Sequence, residues 1–275
     1  MNPLRVLLGT EKYGTRALLV DSQGNGHYTT IQGAIDAANS QSPTANSRWL
    51  IRVAPGEYTE SLTLYDYIDI AGMAPGYTAC LVTPPAQPAI SSGAECTLSN
   101  LRIGGDNDPI IKTGTFTGTL RLANCVAEET DAGITFIQAT SGSIVIRSSQ
   151  FSVGGRLLYV TAGTVKAYDS ILREYNTDSG GDTYAVIEID GAATLEVQRC
   201  SLLNGASSGS GGAAVKITST PTSVIFHNSL FRKASGTYAI DTTVTPAAYI
   251  ANCAANAAIH PAITGTHDIQ VDSNY

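Results

Sequence analysis

Acidic residues recur at matching places along the chain. Asp106 and Asp108 form one group, Glu128, Glu129 and Asp131 a second, and Glu174, Asp178 and Asp182 a third. Each group follows the start of a short apolar segment by 8–17 positions. If those segments stack as neighbouring strands, the groups fall on one flank. Glu129 and Glu174 then lie two layers apart, ~9.6 Å at the spacing of paired strands. Inverting glycosidases separate acid and base by about 6.5–9.5 Å to admit a water. Glu129, Glu174 and Asp178 are therefore the candidate catalytic groups. Asp106, Asp108, Arg147, Arg156, Tyr168 and Tyr175 are candidate ligand contacts: the arginines for an acidic sugar, the tyrosines, with Tyr159 and Tyr184, as stacking faces. The plainer reading is that solenoid loops are polar and some are acidic. Calcium would need six to eight oxygens, and no Asp-x-Asp-x-Asp-Gly spacing supplies them. No His-x-x-x-His or Cys-x-x-Cys pair suggests zinc. No cofactor or metal is expected.

The elements that would position these groups are visible as a repeat. An apolar strand followed by Asn, Asp, Ser or Arg recurs from positions 62, 96, 120, 144, 165, 195, 224 and 248. Copies include Leu62-Thr-Leu-Tyr-Asp66, Cys96-Thr-Leu-Ser-Asn100, Leu120-Arg-Leu-Ala-Asn124 and Val224-Ile-Phe-His-Asn228. The first and third columns are apolar throughout. The second is mostly polar, so the strand has one inward and one outward face. The fifth column (Asp66, Asn100, Asn124, Ser148, Asp169, Arg199, Asn228, Asn252) marks a tight bend, because Asn and Asp tolerate left-handed backbone. Stacked asparagines there could bond one another along the column. Small residues follow: Cys125, Ser149, Ser170, Cys200, Ser229 and Cys253. A second strand precedes each later copy, as in Ala185-Val-Ile-Glu-Ile-Asp-Gly191, giving at least two strands per coil. A repeat of this length built of strands and turns is a solenoid. Parallel crossovers are nearly always right-handed. The fold class is all-β: a right-handed parallel β-helix with a short N-terminal capping helix.

That helix is read over residues 30–39, with Ile31, Ala34, Ile35 and Ala38 on one face. Segment boundaries are an N-terminal segment (1–19), a cap and first coil (20–61), coils (62–259) and a C-terminal tail (260–275), all in one domain. Arg16–Val20 and Trp49–Val53 read as strands. Near the other end, Ile269 and Val271 alternate with Asp268, Gln270 and Asp272, as in an edge strand.

The stretch from Val20-Asp-Ser-Gln-Gly-Asn-Gly-His-Tyr-Thr-Thr-Ile-Gln-Gly-Ala-Ile through Ile51-Arg-Val-Ala-Pro-Gly-Glu-Tyr-Thr-Glu60 resembles the opening of pectin methylesterases in the pectin-lyase-like β-helix superfamily. The resemblance covers roughly residues 20–72 and implies the same fold. The family's activity would rest on an aspartate pair in an Asp-Phe-Ile-Phe-Gly-like segment and its neighbour, with a later Arg-Pro-Trp-like segment. Neither occurs here, and the single Trp is Trp49. Of the polygalacturonase motifs, Asn176-Thr-Asp178 matches the first and the others are absent. Resemblance to phage tail-spike and virion β-helices, commonly trimeric, implies a structural or receptor-binding role.

Composition narrows the partners. Charged residues make up 14% of 275, and the net charge is −7, with a pI near 5.0. No basic cluster appears in the sequence, so no nucleic-acid partner is expected. No segment is long enough to insert in a membrane. The start lacks a signal-peptide pattern. The expectation is a component of a bacteriophage-type virion (tail spike, fibre or capsid-attached protein) at the particle surface. It would be a homotrimer contacting other virion proteins and a surface glycan. The alternative is a polysaccharide hydrolase or lyase. The five cysteines, Cys80, Cys96, Cys125, Cys200 and Cys253, read as unpaired buried thiols.

Overall fold

The computed structural model describes residues 16–74, 80–82, 90–92, 95–104, 111–113, 118–128, 135–175, 184–205, 212–233 and 237–271. Strands dominate and all named pairings are parallel. They form a 19-stranded sheet and an eight-stranded sheet. The larger sheet runs as two rows, joined within each coil by the tight bend. Its first row includes Thr119–Ala123, Ser143–Arg147, Gly163–Tyr168, Ala193–Gln198 and Ser223–His227. Its second includes Val126–Glu128, Gln150–Val153, Ile171–Glu174, Ser201–Asn204 and Leu230–Lys233. The eight-stranded sheet holds Thr135–Ala139, Arg156–Val160, Ile187–Ile189, Val215–Ile217 and Ile240–Thr242 among others. A full coil thus has three strands. The second row leaves little trace in the sequence because its strands are only three or four residues long and put apolar residues on both faces: Ile171 faces out at 43% exposure.

The apolar columns stack in register. Cys96, Leu120, Ile144, Val165, Leu195 and Val224 follow one another from coil to coil, as do Leu98, Leu122, Ile146, Ala167, Val197 and Phe226. All are buried. Each large side chain taken from water stabilises the fold by roughly 1.5–3 kcal/mol before chain entropy is counted. The first sequence copy is out of phase. Leu62–Leu64 belongs to the eight-stranded sheet, and Ile68–Gly72 occupies the repeat position, with Ile70 beside Leu98. Asp66 therefore lies outside the bend column. Its Oδ1 accepts the Glu95 N–H at 2.6 Å.

Seven bend residues, Asn100, Asn124, Ser148, Asp169, Arg199, Asn228 and Asn252, have φ between 48° and 53°. This conformation costs most residues energy, and Asn and Asp least. Arg199 is held there by a bidentate pair with Asp169 on the adjacent coil, at 2.6 and 2.9 Å. Asn100 and Asn124 do not form a side-chain ladder. Their main-chain N–H groups donate instead to Ala123 and Arg147 carbonyls, each at 3.1 Å. The next column supplies a second ladder. Ser149 Oγ donates to the Arg147 carbonyl at 2.8 Å and accepts the Cys125 N–H at 3.2 Å, and Ser170 repeats the arrangement. None of Cys96, Cys125, Cys200 and Cys253 forms a disulfide, and all four are buried. Burial pushes the thiols of Cys125 and Cys200 up to about 11. The side chain of Cys80 lies outside the described residues.

The helix, Ile31–Asn39, closes the first coil and buries Ile31, Ala34, Ile35 and Ala38. Thr30 caps it. Glu60 reaches its N-terminus and accepts the N–H groups of Ile31 and Gln32, both at 2.8 Å. A carboxylate there satisfies two orphan donors and faces the positive end of the helix dipole. At the other end His267–Val271 adds in parallel to Ala248–Ala255.

The register makes a sharp prediction. Leu122→Ala should destabilise by about 2–5 kcal/mol through lost burial and a residual cavity. Lys166→Ala, on the outward column beside Glu196, should cost under about 1 kcal/mol, as for an exposed ion pair. Chemical denaturation of both variants tests this, and equal losses would contradict the column assignment.

Candidate functional site

The outward positions of the eight-stranded sheet form one continuous column: Gln138, Tyr159, Glu188, Lys216 and Asp241. Parallel in-register pairing places one such residue on each coil, ~4.8 Å from the next. A polar cluster gathers around its middle. Arg156, at the start of its strand, sets its guanidinium 4.3 Å from the centre of the Tyr159 ring and 5.3 Å from that of Tyr184. Its Nε lies 3.0 Å from Glu188 Oε2 on the adjacent coil, with the two side chains 20% and 13% exposed. The cation is thus held between two tyrosines and a carboxylate in a half-buried setting, where cation–π attraction is stronger than in open water.

Asp190 completes the cluster just past the strand end. Its Oδ2 accepts the Tyr159 hydroxyl at 2.8 Å, and its Oδ1 accepts Ser219 at 2.8 Å and Thr218 at 3.0 Å. These donors, Ser219 foremost, hold its carboxyl below the ordinary value of 3.8. Tyr159 moves the opposite way: burial first, then its bond to Asp190, raises its hydroxyl above 10.0. Gly191 lets the chain turn under the site, because a Cβ there would collide with the Thr161 carbonyl.

Of the residues anticipated from sequence, the described ones are spread over different faces. Glu129, Asp178, Asp106 and Asp108 lie outside the described residues. The sequence pattern puts Glu174 on an acidic loop. It instead ends a second-row strand, between Val153 and Asn204 in register, and its side chain is fully buried. A group in the packed interior cannot meet a polysaccharide on the flank. Arg147 stands 4.4 Å over the Tyr168 ring, but on the first row of the larger sheet, a different face from Arg156. Tyr175 is half-buried at the end of the second row. Among the described residues anticipated from sequence, only Arg156, with Tyr159 and Tyr184, enters the cluster. Glu188, Asp190 and Lys216 were missed. The signal was present in the central polar position of each second strand, read as a column. Among the described residues no three His, Cys, Asp or Glu converge to hold a metal ion.

The sequence matches no protein-family profile. It also matches no curated protein sequence. The three-dimensional structure does find likenesses. The deglycosylated pectin methylesterase of Aspergillus niger superposes with a TM-score of 0.58 and 14% identity, over 94% of this chain and 92% of that one. The pectin methylesterase PemA of Erwinia chrysanthemi does so with 0.61 and 10%, over 92% and 93%. At such identities the likeness is one of fold. The chain has the right-handed parallel β-helix of the pectin-lyase-like fold. These neighbours are carbohydrate-active enzymes, and neither is a virion protein.

The hydrogen bonds to Asp190 carry a pH consequence. Its folded-state pKa is depressed, so the associated stability is present above the unfolded value and is lost as pH falls through the folded value. Between about pH 5 and pH 3 the wild type should therefore lose more Tm than Asp190→Asn. Parallel slopes over that range would show that the carboxylate makes no net contribution.

Proposed function

We propose that this β-helix binds a glycan along the outer face of its eight-stranded sheet. The observation that carries the reading is the Arg156–Tyr159–Tyr184 stack set against Glu188 and Asp190. A pyranose offers an apolar C–H face to an aromatic ring and a rim of hydroxyls to nearby acceptors and donors. Tyr184 and Tyr159 supply rings, Asp190 and Glu188 acceptors, and Arg156 and Lys216 donors. The stacked, hydrogen-bonded side chains are ordered before ligand arrives, which lowers the entropy lost on binding. The fold likeness to carbohydrate-active enzymes supports the same reading.

The chemistry favours binding over hydrolysis. Asp190 is held ionised, which suits it to accept hydroxyl hydrogen bonds. A glycosidase acid needs its pKa raised so that it can donate a proton. Binding without turnover fits the receptor-binding role expected from sequence, and a virion surface is the setting we propose for it. A hydrolase or lyase is the alternative. Incubation with immobilised acidic and neutral polysaccharides separates the two. Retention without reducing ends or unsaturated products is expected, with Tyr184→Ala weakening retention roughly tenfold, the loss of one stacking face. Turnover would establish the enzyme reading, and no retention on any glycan would defeat the proposal.

The proposal extends to assembly. His267–Val271 continues the stack as its last named strand, with Val271 54% exposed. An open strand edge invites a second chain, and closed rotational symmetry would hide it. Light scattering at micromolar concentration should give a trimer, and a monomer would remove this part of the reading.

A further inference from the structure

Asn-Gly occurs twice in the chain, at Asn25-Gly26 and Asn204-Gly205, and the fold treats the two pairs in opposite ways. We propose that Asn25 is a site of spontaneous covalent modification, deamidation through a succinimide, and that the structure protects Asn204 from it. The site lies in the loop between Ala17–Val20 and the capping helix. It does not rest on the glycan reading.

The reaction needs an asparagine side chain able to turn back on the main chain, and a following amide nitrogen that is not otherwise engaged. The Gly26 nitrogen attacks Asn25 Cγ and the Cγ–Nδ2 bond breaks. The proton lost by the Gly26 amide leaves with Nδ2 as ammonia. Water then opens the ring at either carbonyl, giving aspartate or isoaspartate. No oxidant or further reactant is required. Glycine, with no Cβ, leaves the approach to its own nitrogen open.

Asn25 meets these requirements. It is exposed, and its side chain makes one hydrogen bond among the described residues, from Nδ2 to Asp21 Oδ2 at 3.1 Å in open solvent. No described residue accepts the Gly26 N–H, whereas the amides of Gly24 and His27 on either side donate to the Asp21 and Leu19 carbonyls at 2.9 and 2.7 Å. The fold also requires the glycine. A Cβ at position 26 would lie 2.7 Å from the Leu19 carbonyl oxygen and 2.8 Å from the Asp21 nitrogen. Asn204 is the contrast. It is 3% exposed, and its Nδ2 donates to the carbonyls of Tyr184 and Ala213 at 2.8 and 3.2 Å. The Gly205 N–H donates to the Glu174 carbonyl at 2.7 Å. Nucleophile and leaving group are both tied down, so reaction there must wait for local opening. At Asn25 the change replaces the donor facing Asp21 with a second carboxylate and adds one negative charge to a net −7. Isoaspartate further adds a carbon to the main chain of a loop that closes on Leu19 through His27 and Tyr28.

The test is to age the full chain in mildly alkaline buffer, natively and in urea, and to map it by tryptic digestion and mass spectrometry. The two pairs fall on separate peptides, residues 17–48 and 200–216, and fragment masses locate each amide-to-acid change. In the native protein Asn25 should convert, and Asn204 should convert at least about tenfold more slowly. In urea the two should convert at similar rates, because the protection of Asn204 is lost with the fold. The aged native protein should also gain an acidic form that co-elutes with Asn25→Asp on anion exchange. Asn25→Gln should not gain that form, since a longer side chain closes the ring less readily. Equal native rates at the two sites, or faster conversion at Asn204, would overturn the proposal. So would an Asn25 that survives natively over the time in which the urea-treated chain converts it.

Discussion

The structure depends on one constraint: successive coils must stack in register through the bend between the two rows of the larger sheet. Each bend places a single residue at φ near 50°. From Asn100 to Asn228 its N–H then points along the stack to a carbonyl of the neighbouring coil, and at Asn252 it meets Asp268 Oδ2 at 3.4 Å. The hydroxyl or thiol after it bonds a carbonyl two residues back, and each serine also accepts an amide from the coil beside it. A slip of one residue would break both ladders and turn every apolar column outward. Coil length varies freely because extra residues enter elsewhere. The bends at Ser148 and Asp169 are 21 residues apart and those at Asp169 and Arg199 are 30 apart, yet the strands around them pair without a shift.

That rigidity is what makes the outer faces useful. A side chain on a stacked strand inherits its position from the ladder below it. Arg156 reaches Glu188, and Tyr159 reaches Asp190, because the strands that carry them are in-register neighbours. The pairs bridge coils, so they hold side chains in place and tie layers together. Their net contribution to stability is modest, since partly exposed pairs are screened. Their value is pre-organisation.

The fold likeness reaches the scaffold and stops short of chemistry. The chain shares nearly full-length architecture with two pectin methylesterases at 14% and 10% identity. A β-helix specifies an inner column tightly and an outer column hardly at all, so one scaffold can carry many surfaces. The N-terminal opening does a structural job. Its helix covers the first coil, and Glu60 anchors the helix by its N-terminus.

Sequence alone determined the features that repeat. The inward columns, the bend residues and the small-residue corner each appear once per coil, and the apolar face of the helix follows from a period of 3.6. Seven of the eight bend positions were legible because left-handed backbone restricts residue choice. The first copy misled because Leu62-Thr-Leu imitates the pattern one strand early, and only pairing with Ile90 reveals its sheet. The site was less legible. Glu174 looks like a loop acid in sequence, but a short strand turns it inward. Arg156, Glu188 and Asp190 are 34 residues apart end to end, and nothing in their local sequence links them. Tertiary structure decided which polar residues meet. The length of each loop sets which outward position falls beside which, and that is settled only when the coils stack.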